Sequence, residues 1–211
     1  MIDELLPPAI ASAESLIDAP SSQLLPEELR LLENAAEKRR REFTTGRVCA
    51  RRALAQLGIE PVPILIGGNR EPLWPVGVVG SLTHCTGFRA AAVGRAQEYR
   101  SIGIDAEPDE ALPDGVLEQV SLPSERAQLA LGAPPHMDRL LFSAKECVYK
   151  TWFPVAQRWL GFLDAEIALH VDGSFDAQLL VAGPIRSFRG RWLAREGLII
   201  TAIAAPFGAG V

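Results

Sequence analysis

The order of segments in this chain repeats from one half to the other. Turn-forming Gly, Pro and Asn cut the sequence into short pieces, and in each half a helical pattern comes first and strand-like pieces follow. Pro26-Glu27-Glu28 puts a proline and two acids where a helix start prefers them, and Leu29, Leu32, Ala35 and Ala36 follow at helical spacing. Over residues 46–57, Val48, Ala50, Ala53, Leu54 and Leu57 share one side before Gly58 supplies a stop. Strand-like segments come next at 62–66, 78–83, 89–94 and 101–105. A polar, proline-containing connection over 108–123 then leads to a short helix over 124–131. Pro134-Pro135 precedes a longer helix over 137–153, and strands are expected at 165–171, 175–181, 189–194 and 198–204. Residues 1–25 are rich in Ala, Pro and Ser and support one short strand near Ile10. The expected fold is α+β with two lobes, 1–105 and 106–211, each a long helix on an antiparallel sheet and with a ligand site in the cleft between them. No convincing sequence identity relates the halves, so the duplication rests on element order alone.

A chain of 211 residues with 48% hydrophobic content can bury a core without staples. Cys49, Cys85 and Cys147 are odd in number and far apart, which fits reduced thiols and excludes a Cys-x-x-Cys zinc or redox motif. The start, Met1-Ile2-Asp3-Glu4-Leu5-Leu6-Pro7-Pro8, lacks the basic opening and apolar run of a secretory signal, and no later stretch is apolar enough for a membrane helix. A soluble cytoplasmic protein without membrane or nucleic-acid partners is expected, because the net charge of −5 argues against general nucleic-acid binding. Only three of the 21 basic residues are lysines, and two of those, Lys145 and Lys150, fall in one six-residue stretch.

Four stretches carry side chains suited to chemistry. In Gly103-Ile104-Asp105-Ala106-Glu107-Pro108 an apolar strand ends in two acids at i and i+2, which point to one face, and the proline keeps Glu107 extended. Paired carboxylates of this kind repel unless a cation lies between them, as hard oxygen ligands for magnesium do; from the hexapeptide alone a solvated strand end remains the commoner outcome. In Phe142-Ser143-Ala144-Lys145-Glu146-Cys147-Val148-Tyr149-Lys150, a buried stripe of Leu141, Ala144, Val148 and Thr151 leaves Phe142, Glu146, Tyr149 and Lys150 on an adjacent face. Glu146 and Lys150 there could form a plain i,i+4 ion pair, or a compact ammonium for a phosphate beside a carboxylate for a metal or a proton. Gly80-Ser81-Leu82-Thr83-His84-Cys85 offers small residues and hydroxyls to an anion, without P-loop or dinucleotide-fold spacing. Lys38-Arg39-Arg40-Arg41, with Arg47, Arg51 and Arg52, makes a basic flank open to phosphates, an acidic protein or plain solvent.

Taken in order, these stretches, with Arg41-Glu42-Phe43-Thr44-Thr45-Gly46-Arg47-Val48-Cys49-Ala50-Arg51 and Glu71-Pro72-Leu73-Trp74-Pro75, resemble the 4'-phosphopantetheinyl transferases. The resemblance is to the monomeric class that activates peptide, polyketide and siderophore synthases, closest to its actinobacterial branch. It extends from about residue 38 to the end and includes Trp159-Leu160-Gly161-Phe162 and Gly190-Arg191-Trp192. It implies two similar lobes with coenzyme A and magnesium, or manganese, between them, and a monomer that serves apo acyl, aryl or peptidyl carrier proteins. By matching position, Asp105, Glu107 and Glu146 would hold the metal, Asp105 from the first lobe and the other two from the second. Glu146 would also take the proton of the carrier serine, and Lys150, supported by Lys145, would hold the pyrophosphate. Arg47 and His84, with Thr83 and more weakly Arg51, would contact the 3'-phosphate. The family often carries a basic residue shortly before the Glu-Pro pair; here, in Gly67-Gly68-Asn69-Arg70-Glu71-Pro72, Arg70 is the only one available. A magnesium-dependent hydrolase of coenzyme A or a nucleotide, or a coenzyme-binding regulatory protein, would use the same parts and leave some of the ordered motifs unexplained.

Overall fold

The computed structural model describes residues 1–130 and 136–207. Leu131, the last residue of the expected short helix, and Pro134-Pro135 lie outside the described residues. After a 3-10 turn at Ile2–Leu5, the first half contains β1 (Ala11–Ser15), α1 (Pro26–Arg30), α2 (Glu37–Gln56), β2 (Leu65–Ile66), β3 (Pro72–Leu73), β4 (Val78–Cys85) and β5 (Phe88–Arg95). The second contains β6 (Tyr99–Pro108), α3 (Val116–Val120), α4 (Pro123–Leu129), α5 (Met137–Ala156), β7 (Ala165–Leu169), β8 (Ser174–Leu179), β9 (Ser187–Arg195) and β10 (Leu198–Pro206).

The helix boundaries differ from expectation in an informative way. α2 begins at Glu37, nine residues ahead of the apolar run, so the basic Lys38–Arg41 stretch forms its first turns and not a separate flank. α1 is only five residues long, and Leu32 turns inward to join Leu24 and Phe43 in a small cluster. The connection after β6, read as loop, includes α3. At the far end of α2 the expected stop occurs: Gly58 adopts φ +71°, the left-handed conformation that glycine enters without steric cost.

Two main antiparallel sheets result, one ordered β1-β5-β4 and the other β6-β10-β9-β8-β7, besides the small two-stranded ribbon of β2 and β3. α2 buries Cys49, Ala50, Ala53 and Leu54 against Ala91 and Val93 of the first sheet, and α5 buries Leu141, Ala144, Val148 and Trp152 against Ile167, Phe175, Ala177 and Ile203 of the second. A third cluster joins the two: Ile2, Leu5, Leu6 and Ile10 pack with Phe88 and Ala90 of β5, Ile102 and Ile104 of β6, and Ile200 of β10. β6 pairs with β10 from Tyr99 to Pro108, so residue 105, where the sequence suggested a division, lies inside a strand of the second sheet.

The other edge of β6 meets β4 through side chains. Ser81 Oγ accepts the amide of Ile104 at 3.1 Å and Thr83 Oγ1 accepts that of Ala106 at 2.9 Å. Two hydroxyls thus supply acceptors for strand-edge amides that no backbone carbonyl reaches. On the opposite side β6 lies tight against α5 at Gly103, where an added Cβ would come 2.1 Å from Thr151 Oγ1 and 2.4 Å from the Cys147 carbonyl. Only glycine allows that approach.

The duplication hidden in the sequence shows in one repeated device. Leu25-Pro26-Glu27-Glu28 and Leu122-Pro123-Ser124-Glu125 each open a short helix with proline at its first position. In each, the buried glutamate bonds back to the leucine amide, at 3.0 Å for Glu28 and 2.6 Å for Glu125. Its second oxygen takes an amide from across the lobe, Ile64 at 3.0 Å in the first half and Ile167 at 2.7 Å in the second. A cation from the long helix completes each pair, Arg51 on Glu28 at 2.7 Å and Lys145 on Glu125 at 2.8 Å. Breaking one member of such a pair strands a buried charge, which costs about 3–5 kcal/mol. Glu125→Gln should therefore lower stability in urea denaturation by that amount, while Glu27→Gln on the exposed side of α1 should stay within about 0.5 kcal/mol of the parent.

Candidate active site

β6 and α5 meet face to face, and the polar side chains of one grip those of the other. Asp105 is buried: its Oδ1 accepts Lys150 Nζ at 2.7 Å and Thr83 Oγ1 at 3.3 Å, and its Oδ2 accepts Ser143 Oγ at 2.8 Å. Lys150 also donates to the Ile104 carbonyl at 3.2 Å. Two residues along the strand, Glu107 Oε2 accepts Arg139 Nη1 at 3.0 Å. Arg139, Ser143, Glu146 and Lys150 recur along α5 at helical spacing. The buried stripe expected for α5 is found at Leu141, Ala144, Val148 and Thr151, and Phe142, Glu146, Tyr149 and Lys150 are each part-exposed beside it.

Charges in this cluster perturb one another. Burial, with Asp105 adding repulsion, raises the Glu146 carboxyl above the usual glutamate range, and Lys150 offsets only part of this. Glu107 is raised by burial and by Asp105 against the pull of Arg139 and Lys150. Burial alone would lower Lys150, but the attraction and hydrogen bond of Asp105 outweigh it and hold the ammonium charged. The Cys85 thiol is pushed up to about 12 by burial, with Glu107 and Asp105 adding to it, and so is no nucleophile. Glu146 makes no hydrogen bond to another described side chain, which leaves its oxygens available to a ligand.

The first lobe borders this cluster with positive charge. His84 keeps one side open to solvent, with Nδ1 3.9 Å from Glu42 Oε2; the partial desolvation of its ring lowers its pKa against the pull of Glu42, and Lys150, Arg39 and Arg89 push it down further. Arg47 is buried, donates from Nε to the Ile64 carbonyl at 2.7 Å and stacks on Phe43 at 4.1 Å; burial lowers its pKa to about 10. Arg39 lies on the other flank of the Phe43 ring at 5.9 Å and repels both Arg47 and His84. Arg70 occupies the β2–β3 turn, exposed and with φ +69°. The neighbouring Glu71, with Glu146, raises Tyr149 beyond the effect of burial, which brings this hairpin within electrostatic reach of α5.

Three expected phosphate contacts are committed elsewhere. Lys145 spends its ammonium on Glu125 and on the Phe162 and Ala165 carbonyls, at 2.7 and 2.9 Å. Arg51 is spent on Glu28 and the Gln23 carbonyl, and Thr83 on the Ala106 amide and Asp105. These groups shape the site from behind. Conversely, sequence reading gives no role to Ser143 and Arg139, although both carry a signal, since they share the face of Glu146 and Lys150 on the helix; Arg39 enters it only as part of the basic stretch.

Among the described residues no three His, Cys, Asp or Glu side chains are gathered closely enough to form a ready metal cage. The donor chemistry nevertheless fits a hard divalent ion: all three acids offer oxygen, two have raised pKa values that an added cation would relieve, and Glu146 is uncommitted.

Acids around a lysine, beside a basic helix, suit a substrate that carries several phosphates and is attacked under general-base control. Two family models divide the chain in the same way as its sheets: residues 27–94 match the 4'-phosphopantetheinyl transferase N-terminal domain, and residues 101–203 match the 4'-phosphopantetheinyl transferase superfamily. The chain belongs to that superfamily and is a 4'-phosphopantetheinyl transferase. It is 52% identical over 224 aligned residues to the 4'-phosphopantetheinyl transferase Svp of Streptomyces mobaraensis, covering 100% of this chain and 91% of the relative. The 4'-phosphopantetheinyl transferase PptT of Mycobacterium tuberculosis is 50% identical over 207 residues, covering 92% and 91%. Enterobactin synthase component D of Salmonella typhimurium is 33% identical over 186 residues, covering 82% and 75%.

A glutamate whose pKa is raised by folding opposes folding, and the cost appears as pH rises through the ordinary glutamate value of about 4.3 and is complete above the folded-state pKa. Glu146→Gln removes that cost, so the metal-free variant should unfold at pH 7 about 2–4 °C above the parent, the shift that on the order of 1 kcal/mol produces in a chain of this size. The gain should vanish at pH 3, where both states carry a protonated Glu146; calorimetric scans at the two pH values measure it.

Proposed function

We propose that this transferase moves the phosphopantetheine arm of coenzyme A to a serine of an apo carrier protein, with Glu146 as proton acceptor and Lys150 as the cation at the pyrophosphate. The face of α5 that sets these two residues against Asp105 is the observation that most supports this reading. The seryl oxygen forms its bond to the β-phosphorus of coenzyme A, the bond from that phosphorus to the bridging oxygen breaks, and 3',5'-ADP leaves with the electron pair. A divalent ion, magnesium or manganese, held by Asp105, Glu107 and Glu146 would supply charge neutralisation on both phosphates.

The remaining work falls to side chains. Glu146 has a carboxyl raised above the usual glutamate range by burial, which favours a group that must accept the serine proton. Lys150 is held charged by Asp105 and remains part-exposed, with its side chain 26% accessible, so the one N–H not given to Asp105 or to the Ile104 carbonyl can reach a phosphate oxygen. Arg39 repels both the buried Arg47 and the ring of His84, and an anion bound among them would relieve that repulsion, which supports a role at the 3'-phosphate. Arg70 on its turn is proposed to lie over the coenzyme. No described helix is long and apolar enough to cross a membrane. A monomer acting in the cytoplasm, on acyl, aryl or peptidyl carriers of peptide or polyketide synthases, completes the proposal. The aromatic pairs Tyr149–Trp159 and Phe142–Phe162 beside Glu146 give the methyl and methylene groups of the pantetheine arm a surface on which to lie.

Incubated with magnesium, coenzyme A and a panel of apo carrier proteins, the chain should add one phosphopantetheine to the target serine, read by intact mass; no mass gain on any carrier would overturn the assignment. Formation of 3',5'-ADP without a carrier would instead indicate a hydrolase. Lys150→Met should lower kcat by about 10²–10³-fold, the cost of losing one electrostatic donor to the transition state, and Glu146→Gln should abolish transfer while coenzyme binding persists.

A further inference from the structure

Arg139 stands outside the set of residues that the chemistry above requires, yet its side chain is nearly buried, 12% accessible, and makes three hydrogen bonds, as many as Asp105 does. Its guanidinium reaches three acceptors within five residues, one at the end of β6 on Glu107 and two on the loop that follows, at Glu110 and Ala111. Nη1 donates to Glu107 Oε2 at 3.0 Å, Nε to the Glu110 carbonyl at 3.1 Å, and Nη2 to the Ala111 carbonyl at 2.8 Å. Its neighbours at the start of α5 hold the same loop. Asp138 Oδ2 accepts the Leu112 amide at 2.8 Å, and His136 Nδ1 lies 2.9 Å from Asp109 Oδ1. Residues 107–112 are therefore latched to the first turn of the helix that also carries Glu146.

Glu107 needs such a latch. It is the last carboxylate before the chain leaves the strand, beside a buried Asp105 that repels it, and a long side chain in that field would swing toward solvent. Oε2 is held by Arg139, while Oε1 makes no hydrogen bond to another described residue. A planar fork with fixed donor directions restrains both the loop carbonyls and one carboxylate oxygen at once, which a lysine ammonium on a flexible stem cannot do.

We propose that Arg139 is a positioning residue for the metal-binding acids, fixing the loop after β6 and one oxygen of Glu107 so that the other oxygen faces the cleft. This rests on Glu107 being a metal ligand, as proposed above. Arg139 touches neither substrate nor metal; it acts through Glu107, as outer-shell partners of metal-ligating carboxylates do. Its positive charge competes with a metal for the same carboxylate, and the structure assigns the larger effect to orientation, because two of its three bonds go to backbone carbonyls and not to the acid.

Magnesium titrated by calorimetry into the full chain saturated with coenzyme A tests this. Arg139→Ala should bind magnesium about 10–100-fold more weakly than the parent, the usual cost of losing an outer-shell partner. Its kcat at fixed magnesium should fall while KM for coenzyme A changes less than about twofold, a split that general loosening of the fold would not give. Arg139→Lys, which keeps the charge and guards against a variant that fails to fold, should lose part of the affinity because it cannot span all three acceptors. In a Glu107→Gln background, adding Arg139→Ala should change magnesium affinity by less than about twofold. Magnesium binding to Arg139→Ala that is equal to or tighter than that of the parent would overturn the proposal and leave Arg139 a counter-ion. An equal loss in the Glu107→Gln background would also overturn it, since the effect would not pass through Glu107. If the parent takes up no magnesium, the metal reading of Glu107 itself is what fails.

Discussion

β6 is held on three sides by three kinds of contact. One edge pairs with the backbone of β10, the other edge gives its amides to the hydroxyls of Ser81 and Thr83, and one face presses on α5 where Gly103 leaves room. Everything that could do chemistry hangs from this strand or faces it. Because a hydroxyl can turn to accept an amide that a carbonyl of the next strand cannot reach, the first sheet can abut the second while the edge amides of Ile104 and Ala106 stay paired. The site stands at that junction, and its precision depends on side chains whose own positions are settled by the fold.

Positive and negative charges are distributed according to that geometry. In each lobe a buried glutamate and a cation from the long helix form a closed, fully bonded pair that holds the lobe together. Where β6 faces α5 the acids are incompletely satisfied: Glu107 has one bonded oxygen, Glu146 has none among the described residues, and both are raised by burial and by repulsion from Asp105. Closed pairs stabilise and open ones remain responsive to a ligand. The same residue type thus closes a buried ion pair at Glu125 and stays open to a ligand at Glu146.

Much of the site was legible before any fold was drawn. The i,i+2 spacing of Asp105 and Glu107 and the i,i+4 spacing of Glu146 and Lys150 each predicted a shared face, and each pair does share one, because strand and helix periodicities are local properties of the backbone. The buried stripe of α5 followed for the same reason. Lys145 was misplaced because its chemical type suits a phosphate, whereas its commitment to Glu125, twenty residues upstream, depends on how α4 packs against the sheet. The start of α2 was missed for a related reason: its first turns are basic and carry no apolar pattern, so helical structure there is carried by continuity with the buried turns that follow.

The sequence by itself determined which residues share a face, where glycine and proline break the chain, and the family to which the ordered motifs point. It also contained the repeated Leu-Pro-x-Glu that opens a helix in each half, although four residues are too few to reveal a duplication until both glutamates are seen to make the same bonds. Tertiary structure alone decided which charges are spent and which are free. A lysine or an arginine has the same charge wherever it stands, but its use depends on partners far away in the chain, and those partners are fixed only when Asp105 on β6, Lys150 and Arg139 on α5, and the hydroxyls of β4 are brought to one place.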